Sequence, residues 1–129
     1  MTALALQPTE RPVAAAEARP LVRSTVMLAR VWQLRDAQMV AILGDMQPEA
    51  WRRWCDGRVE IVDRERLRRM AVLVEIHVAT RAASAALGAA DWIRARLPEL
   101  DGRSPLQLMA SGRIEDLLRL RDRFAALPA

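Results

Sequence analysis

The chain has 129 residues, 52% of them hydrophobic, which is enough for one helical domain or for two small subdomains that share a core. All 20 basic residues are arginine, and the formal net charge of +4 permits an anionic partner such as nucleic acid without requiring one. The single cysteine excludes an intramolecular disulfide and a cysteine metal cluster. Without a secretion signal or a run of about 20 apolar residues, we expect a cytoplasmic protein that does not enter a membrane.

The chain is predicted to open with a tail and two short helices. Residues 1–20 are rich in Ala and Pro and favour a flexible tail. From residue 21 onward the apolar spacing and the turn residues are those of helices, so we predict an all-α fold. The first helix is predicted over residues 25–34, and the second begins at Asp36 as N-cap and ends at Gly44.

The third predicted helix starts at Pro48 and, with the helix before it, has the layout of an Xre-type helix-turn-helix. Trp51 and Trp54 lie three positions apart and share its buried face. If one inserted residue is allowed after the turn glycine and counting starts at Met46, Trp51, Trp54 and Gly57 fall at the fifth, eighth and eleventh positions of the usual pattern. The helix is predicted to end before Gly57.

The exposed side of this helix carries the residues predicted to contact DNA. Recognition helices read bases through their N-terminal residues, and nearby arginines contact phosphates. The candidates are Gln47, Glu49, Arg52, Arg53 and Arg58, with Arg64 as a further phosphate contact. The alternative interpretation of residues 21–62 is a purely structural three-helix unit whose two tryptophans are core.

A long amphipathic helix over residues 63–87 is predicted to follow, and Gly88 ends it. Asp91 is predicted to cap a short helix that buries Trp92 and Ile93. Residues 63–129 therefore comprise the long helix and a C-terminal domain. The predicted apolar side of the long helix consists of Leu67, Met70, Val74 and Val78.

No catalytic, metal or cofactor site is predicted. His77 is the one histidine, and its helix neighbours Glu75 and Arg81 supply no reactive partner. Cys55 follows Trp54 and has arginines close by but no adjacent base, so a buried or half-buried thiol is favoured. We expect a protein that is not an enzyme and that binds neither a metal nor a cofactor.

The last quarter of the chain predicts two docked helices with a complete set of boundary residues. Ser104 is the N-cap of the first, Pro105 fits its first turn, and Gln107 completes a capping box. Gly112 supplies the left-handed stop before the final helix. The apolar stripe of that helix comprises Ile114, Leu117, Leu118 and Phe124.

Residues 102–118 read G-R-S-P-L-x-L-M-x-S-G-x-x-x-D-L-L, which resembles the C-terminal domain of the Xre/MbcA/ParS antitoxins. These bacterial proteins are paired with RES-domain toxins, which act on NAD. Together with the helix-turn-helix and with Trp92-Ile93, the resemblance covers roughly residues 31–124. It implies an antitoxin that blocks the NAD-binding active site of its toxin. It also implies a homodimer or higher hetero-oligomer that binds the operator DNA of its own operon.

The resemblance further implies which residues contact the toxin. By their positions in this sequence they are Arg103, Ser104, Arg119, Arg121, Phe124 and Leu127. Asp122 departs from the family pattern, in which Val-Arg is often followed by an aromatic residue. Self-association is expected through the long-helix face or through the surface around Trp32. The alternative function is an autonomous helix-turn-helix repressor whose C-terminal domain only dimerises.

Overall fold

The structure is a computed structural model that describes residues 12–125, and this part of the chain is all-helical, as predicted. Two isolated backbone pairs, Val13 with Val62 and Leu97 with Arg103, join segments that lie outside the helices. The helices of the described residues are α1 (Ala15–Val31), α2 (Asp36–Ile42), α3 (Pro48–Cys55), α4 (Arg64–Ala79), α5 (Arg81–Leu87), α6 (Ala89–Trp92), a 3₁₀ turn (Pro98–Leu100), α7 (Pro105–Met109) and α8 (Ile114–Ala125).

The first helix begins inside the segment predicted to be a flexible tail. It starts at Ala15, so the prediction of a tail is wrong for residues 15–20. Burial explains the early start, because Ala18 and Val22 are both enclosed in the core. Pro20 lies in the second turn, where its missing N–H removes a helical hydrogen bond, and the burial of its neighbours offsets that loss.

The helices α2 and α3 lie where the sequence predicts them, and one side-chain hydrogen bond ties them together. The indole Nε1 of Trp51 donates to Oδ1 of Asp36 over 3.0 Å. Asp36 is the first residue of α2 and not its N-cap; Oε1 of Gln38 instead accepts from the backbone N–H of Arg35 at 2.8 Å. Trp51 and Trp54 are buried as predicted, with ring centroids 6.4 Å apart in an edge-to-face arrangement.

The single long helix predicted over residues 63–87 is in fact two helices, bent by 62° at Thr80. The predicted start is right, because Oδ1 of Asp63 accepts from the backbone N–H of Arg66 at 2.8 Å. At the break, Oγ1 of Thr80 donates to the carbonyl of Ile76 at 2.7 Å, a back-bond of the kind that bends helices. None of the residues of α5 is buried, so core packing does not hold α5 in line with α4.

The buried side of α4 is rotated relative to the predicted stripe. Met70 is fully buried as predicted, but Val78 is 59% exposed. The side that faces the core consists of Met70, Val72, Leu73 and Ile76. This side packs against α1 and α8, so α4 is the central helix of the fold.

The C-terminal helices have the predicted boundary residues, with one exception. Oγ of Ser104 accepts from the backbone N–H of Gln107 at 3.1 Å, and Oε1 of Gln107 accepts from the backbone N–H of Ser104 at 2.8 Å. Gly112 has the left-handed φ of +79° in the turn between α7 and α8. The exception is Asp91, which lies inside α6, whose N-cap is Gly88.

One continuous core joins both halves of the chain, and arginine side chains reinforce the junction. Arg66 donates to the carbonyls of Leu43 and Gly44 at 3.0 and 3.2 Å, just after the end of α2. Arg94 donates to the carbonyl of Trp32 at 2.9 Å, just after the end of α1. Both guanidinium groups therefore satisfy carbonyls that a helix end leaves without an intrahelical partner.

Arg69 makes the same kind of contact at the centre of the molecule. Its Nη1 donates to the carbonyl of Gly112 at 2.8 Å and to that of Ile42 at 3.4 Å, while its Nε pairs with Glu65 at 3.2 Å. One side chain of α4 thus joins the end of α2 to the turn between α7 and α8.

No single helix within residues 12–125 is long and apolar enough to cross a membrane. Only α4 and α5 taken together reach that length and composition, and they are bent by 62°.

Candidate interaction surfaces

The surface around α3 carries five of the six residues predicted to contact DNA, and the sixth, Arg64, is exposed at the start of α4. The five around α3 are exposed as well: Gln47, Glu49, Arg52, Arg53 and Arg58. Gln47 is the N-cap of α3, so it stands where a recognition helix would meet base edges. Arg58 pairs with Asp56 at 3.2 Å, whereas Arg52 and Arg53 form no ion pair with a residue that the structure describes. The charges of Arg52 and Arg53 are therefore available to a partner.

A cavity of about 140 Å³ borders this surface. Its lining holds Gln47, three arginines (Arg53, Arg58 and Arg66) and two carboxylates, those of Glu60 and Asp63. Arg66 pairs with Asp63 and Arg58 pairs with Asp56, so Arg53 is the arginine of this cavity that forms no ion pair with a described residue.

Two residues predicted to contact the toxin meet at one carboxylate. Nη2 of Arg119 lies 3.2 Å from Oδ2 of Asp101, and Nη2 of Arg103 lies 4.0 Å from the same oxygen. Asp101 occupies the turn after the 3₁₀ helix with a φ of +59°. Two cations around one carboxylate leave this surface cluster with a net positive charge.

Other residues predicted to contact the toxin are buried within the fold or lie outside the described residues. Ser104 is buried as the N-cap of α7. Phe124 is buried with its ring centroid 5.6 Å from that of Trp92. Both side chains stabilise the C-terminal helices, which corrects the expectation that they face a partner. Leu127 lies outside the described residues.

Arg121 is held against α4 and away from the cluster around Asp101. Its Nη1 donates to Oε1 of Glu75 at 2.9 Å, and its Nε donates to Oδ1 of Asp122 at 2.9 Å. The hydrogen bond to Glu75 is the main cause that raises the pKa of Arg121, and the bond to Asp122 adds to it. Asp122, the departure from the family pattern, thus has a partner within the chain.

An apolar face lies on α1 and α4, and its α4 part belongs to the predicted apolar side of the long helix. Met27, Val31 and Val78 are 53%, 39% and 59% exposed, and two cavities of about 370 and 460 Å³ share Val74 between them. We call Met27, Val31, Val74 and Val78 the apolar face. The side chain of Trp32 is fully buried and contributes nothing to the surface, whereas its neighbour Val31 belongs to the apolar face.

The histidine and the cysteine line two different cavities, both bordered by α1. His77 lies 6.3 Å from the ring of Trp32, and its buried Nδ1 has no hydrogen-bond partner among the described residues. Cys55 is half-buried, and burial followed by the charge of Asp36 raises the pKa of its thiol, while Arg30 lowers it. Within residues 12–125 no group of three or more His, Cys, Asp or Glu side chains is arranged to hold a metal ion.

No protein-family model, curated protein or solved structure matches this chain.

Proposed function

We propose that the chain is an antitoxin that binds a RES-domain toxin and blocks its NAD-binding active site. The observation that carries the proposal is the surface cluster of Arg103, Asp101 and Arg119. It brings together two residues that the resemblance assigns to the toxin face, although they lie on different segments of the C-terminal domain.

The chemistry of the cluster suits a tight protein contact. Guanidinium groups form bidentate pairs with carboxylates and are enriched among the residues that dominate binding energy. Arg119 extends from α8, which is anchored by the buried side chains of Leu117 and Leu120. Because the helix is already ordered, little backbone freedom is lost on binding. Inhibition follows from steric occlusion of the toxin's pocket in the cytoplasm, and the chain itself performs no catalysis.

The test is co-expression of the chain with the protein encoded beside it, with an affinity tag on this chain only. Growth rescue, recovery of the complex and its NAD consumption are measured for the double charge reversal Arg103→Glu/Arg119→Glu. We expect each reversal to weaken the complex about tenfold or more, equivalent to about 1.4 kcal/mol, because attraction becomes repulsion. Growth rescue should be lost while circular dichroism shows an unchanged helical content.

The matched control is the double reversal Arg52→Glu/Arg53→Glu, which changes the same total charge on α3. This variant should rescue growth as well as the wild type does. A cluster variant that still rescues growth, or a control that fails equally, would contradict the proposed toxin face. A neighbouring protein that is harmless when expressed alone would contradict the antitoxin function itself.

The second candidate function is an autonomous DNA-binding repressor. A specific observation favours it, because every residue predicted to contact DNA is exposed, whereas Ser104 and Phe124 of the predicted toxin face are buried. If this function is the correct one, the Arg52→Glu/Arg53→Glu variant loses binding to the promoter of its own gene and the cluster variant keeps it. In the antitoxin proposal the same DNA contact serves to autoregulate the operon.

We also propose that two copies of the chain associate in the complex, with the apolar face as their contact. Soluble monomers rarely leave several large apolar side chains together at the surface.

A further inference from the structure

A second cavity, of about 190 Å³, lies between α1 and the end of α3, and three arginines line it. Arg19, Arg23 and Arg30 follow one another at intervals of four and seven residues, which places them on one side of a helix with 3.6 residues per turn. Cys55 lines the opposite wall. The cavity therefore concentrates three guanidinium groups at one place on the surface.

The positive charge of this cavity is not fully neutralised by the described residues. No carboxylate belongs to its lining, and none of the three arginines forms an ion pair with a residue in the described range. The acidic groups that act on neighbouring Cys55 are Asp36 and Asp56. Asp56 pairs with Arg58, whereas Asp36 accepts from the neutral indole of Trp51 and keeps its negative charge, so Asp36 offsets part of the charge of the three arginines.

The floor of the cavity strengthens the field of the arginines. It is formed by buried apolar side chains, those of Val22, Val26, Trp54 and Val59. An apolar floor carries no dipoles that screen the guanidinium groups, so an anion above it is attracted more strongly than on an open surface. Guanidinium groups also match the oxygens of a phosphate group in bidentate geometry.

We propose that this cavity binds a phosphate group of the DNA backbone. The position favours DNA as the source of the phosphate, because Trp54 and Cys55 of the cavity wall belong to α3, whose outer side bears Arg52 and Arg53. A duplex lying along α3 would extend its backbone toward α1. The inference rests on the DNA contact of α3, and it adds a sequence-independent site on a different helix.

The first measurement is the salt dependence of binding to a duplex of random sequence, followed by fluorescence anisotropy. The variant Arg19→Gln/Arg23→Gln/Arg30→Gln is compared with Arg68→Gln/Arg81→Gln/Arg96→Gln, which removes the same charge from exposed arginines outside the cavity. Each phosphate contact contributes about 0.9 to the slope of log K against log salt. Because the cavity is proposed to bind one phosphate group, the cavity variant should flatten the slope by about 0.9, and the control variant should leave it nearly unchanged.

If the slope changed equally in both triple variants, only net charge would matter, and the cavity would be overturned as a site. An unchanged slope in both variants would overturn it as well. The cavity variant should still rescue growth in the toxin assay, so a failure here is distinguishable from a failure of the antitoxin proposal. The contact of α3 is tested separately by the preference of Arg52→Glu/Arg53→Glu for promoter DNA over the random duplex. That preference depends on the DNA sequence, whereas the salt slope does not.

The second measurement uses Cys55 as a reporter inside the cavity. Burial raises the pKa of its thiol, so its alkylation by iodoacetamide is followed at mildly alkaline pH. Random-sequence duplex at micromolar concentration should slow alkylation several-fold in the wild type and leave the cavity variant unaffected. Protection by equally dilute inorganic phosphate would overturn DNA as the source of the phosphate group. Absence of protection by both ligands would overturn the proposal.

Discussion

At the scale of single residues, the turn between α7 and α8 depends on a glycine. Gly112 has a φ of +79°, and a Cβ built on it would lie 3.2 Å from the carbonyl oxygen of Ala41 in α2. Gly57 has almost the same conformation, with a φ of +82°, but a Cβ there would meet no atom within 4 Å. Alanine substitution at Gly57 therefore measures the free-energy cost of a left-handed backbone alone, and substitution at Gly112 adds the cost of a close contact.

Substitution of each glycine by alanine is predicted to give unequal losses of stability. Gly57→Ala should lower the free energy of unfolding by about 1 kcal/mol, which is the strain of a left-handed alanine. Gly112→Ala should lower it by about 2–3 kcal/mol, because the turn must also move away from α2. Urea denaturation followed by circular dichroism measures both values. Equal losses would show that the turn relaxes freely and does not press on α2.

Residue patterns predicted the local boundaries of the fold because the determinants of a helix end are themselves local. The Ser104–Gln107 capping box, the Gly112 turn and the tryptophan pair of α3 were all predicted correctly. By contrast, no local signal indicated that Arg119 and Arg103 share Asp101, since that meeting depends on how α8 packs.

At the scale of helices, the sequence did not predict the break between α4 and α5. Apolar spacing continues through residues 63–87. The alanines after Thr80 favour a helix whether that helix continues straight from α4 or bends away from it. The bend arises from the back-bond of Thr80 and from the lack of buried residues in α5. The rotation of the buried side has a similar tertiary cause, because α1 and α8 cover α4 from two directions.

The arginines at the start of α4 are a further case. The sequence shows that they cluster there, but it does not predict which groups each of them contacts. Arg69 joins α2 to the turn before α8, and its side chain is only 11% exposed. Arg68, its neighbour, is exposed. A cluster of charges in a helix usually indicates a solvated surface, and carbonyl acceptors from distant segments cannot be recognised in such a pattern.

We predict that Arg69→Met destabilises the protein by about 2–3 kcal/mol. The substitution retains much of the apolar stem but leaves the carbonyl of Gly112 without its charged donor. Arg68→Met is the matched control and should change stability by less than about 0.5 kcal/mol. Thermal and urea unfolding measure the difference. Near-equal stabilities of the two variants would contradict a structural role for Arg69.

At the scale of the whole molecule, the apolar face is unusual for the surface of a monomer, because several apolar side chains lie together there. Met27 and Val31 lie four positions apart on α1, and Val74 and Val78 do the same on α4, so each helix contributes two apolar side chains from one of its sides. The sequence predicted Val74 and Val78 on one apolar side of the long helix, but spacing indicates a shared face and not whether that face is turned to the core or to solvent.

We predict that Met27→Glu/Val78→Glu weakens self-association at least about tenfold, because charges would have to be buried between the copies. The control Ile61→Glu/Leu87→Glu replaces two exposed apolar residues, 71% and 56% exposed, that line neither of the cavities beside Val74. Sedimentation equilibrium gives the association constants. A wild-type chain that is monomeric at all concentrations would contradict the prediction directly.

The carbonyl contacts of Arg66, Arg69 and Arg94 also constrain how this protein can be recombined during evolution. Each donor lies in the second half of the chain, and each has acceptors in the first. A gene fragment that carried residues 63–129 into another protein would bring these arginines without their carbonyl acceptors, and it would leave the apolar residues of α4 without the half of the core that α1 supplies. The two halves are therefore expected to be inherited together, so that a new binding specificity would arise by point substitutions on an intact scaffold.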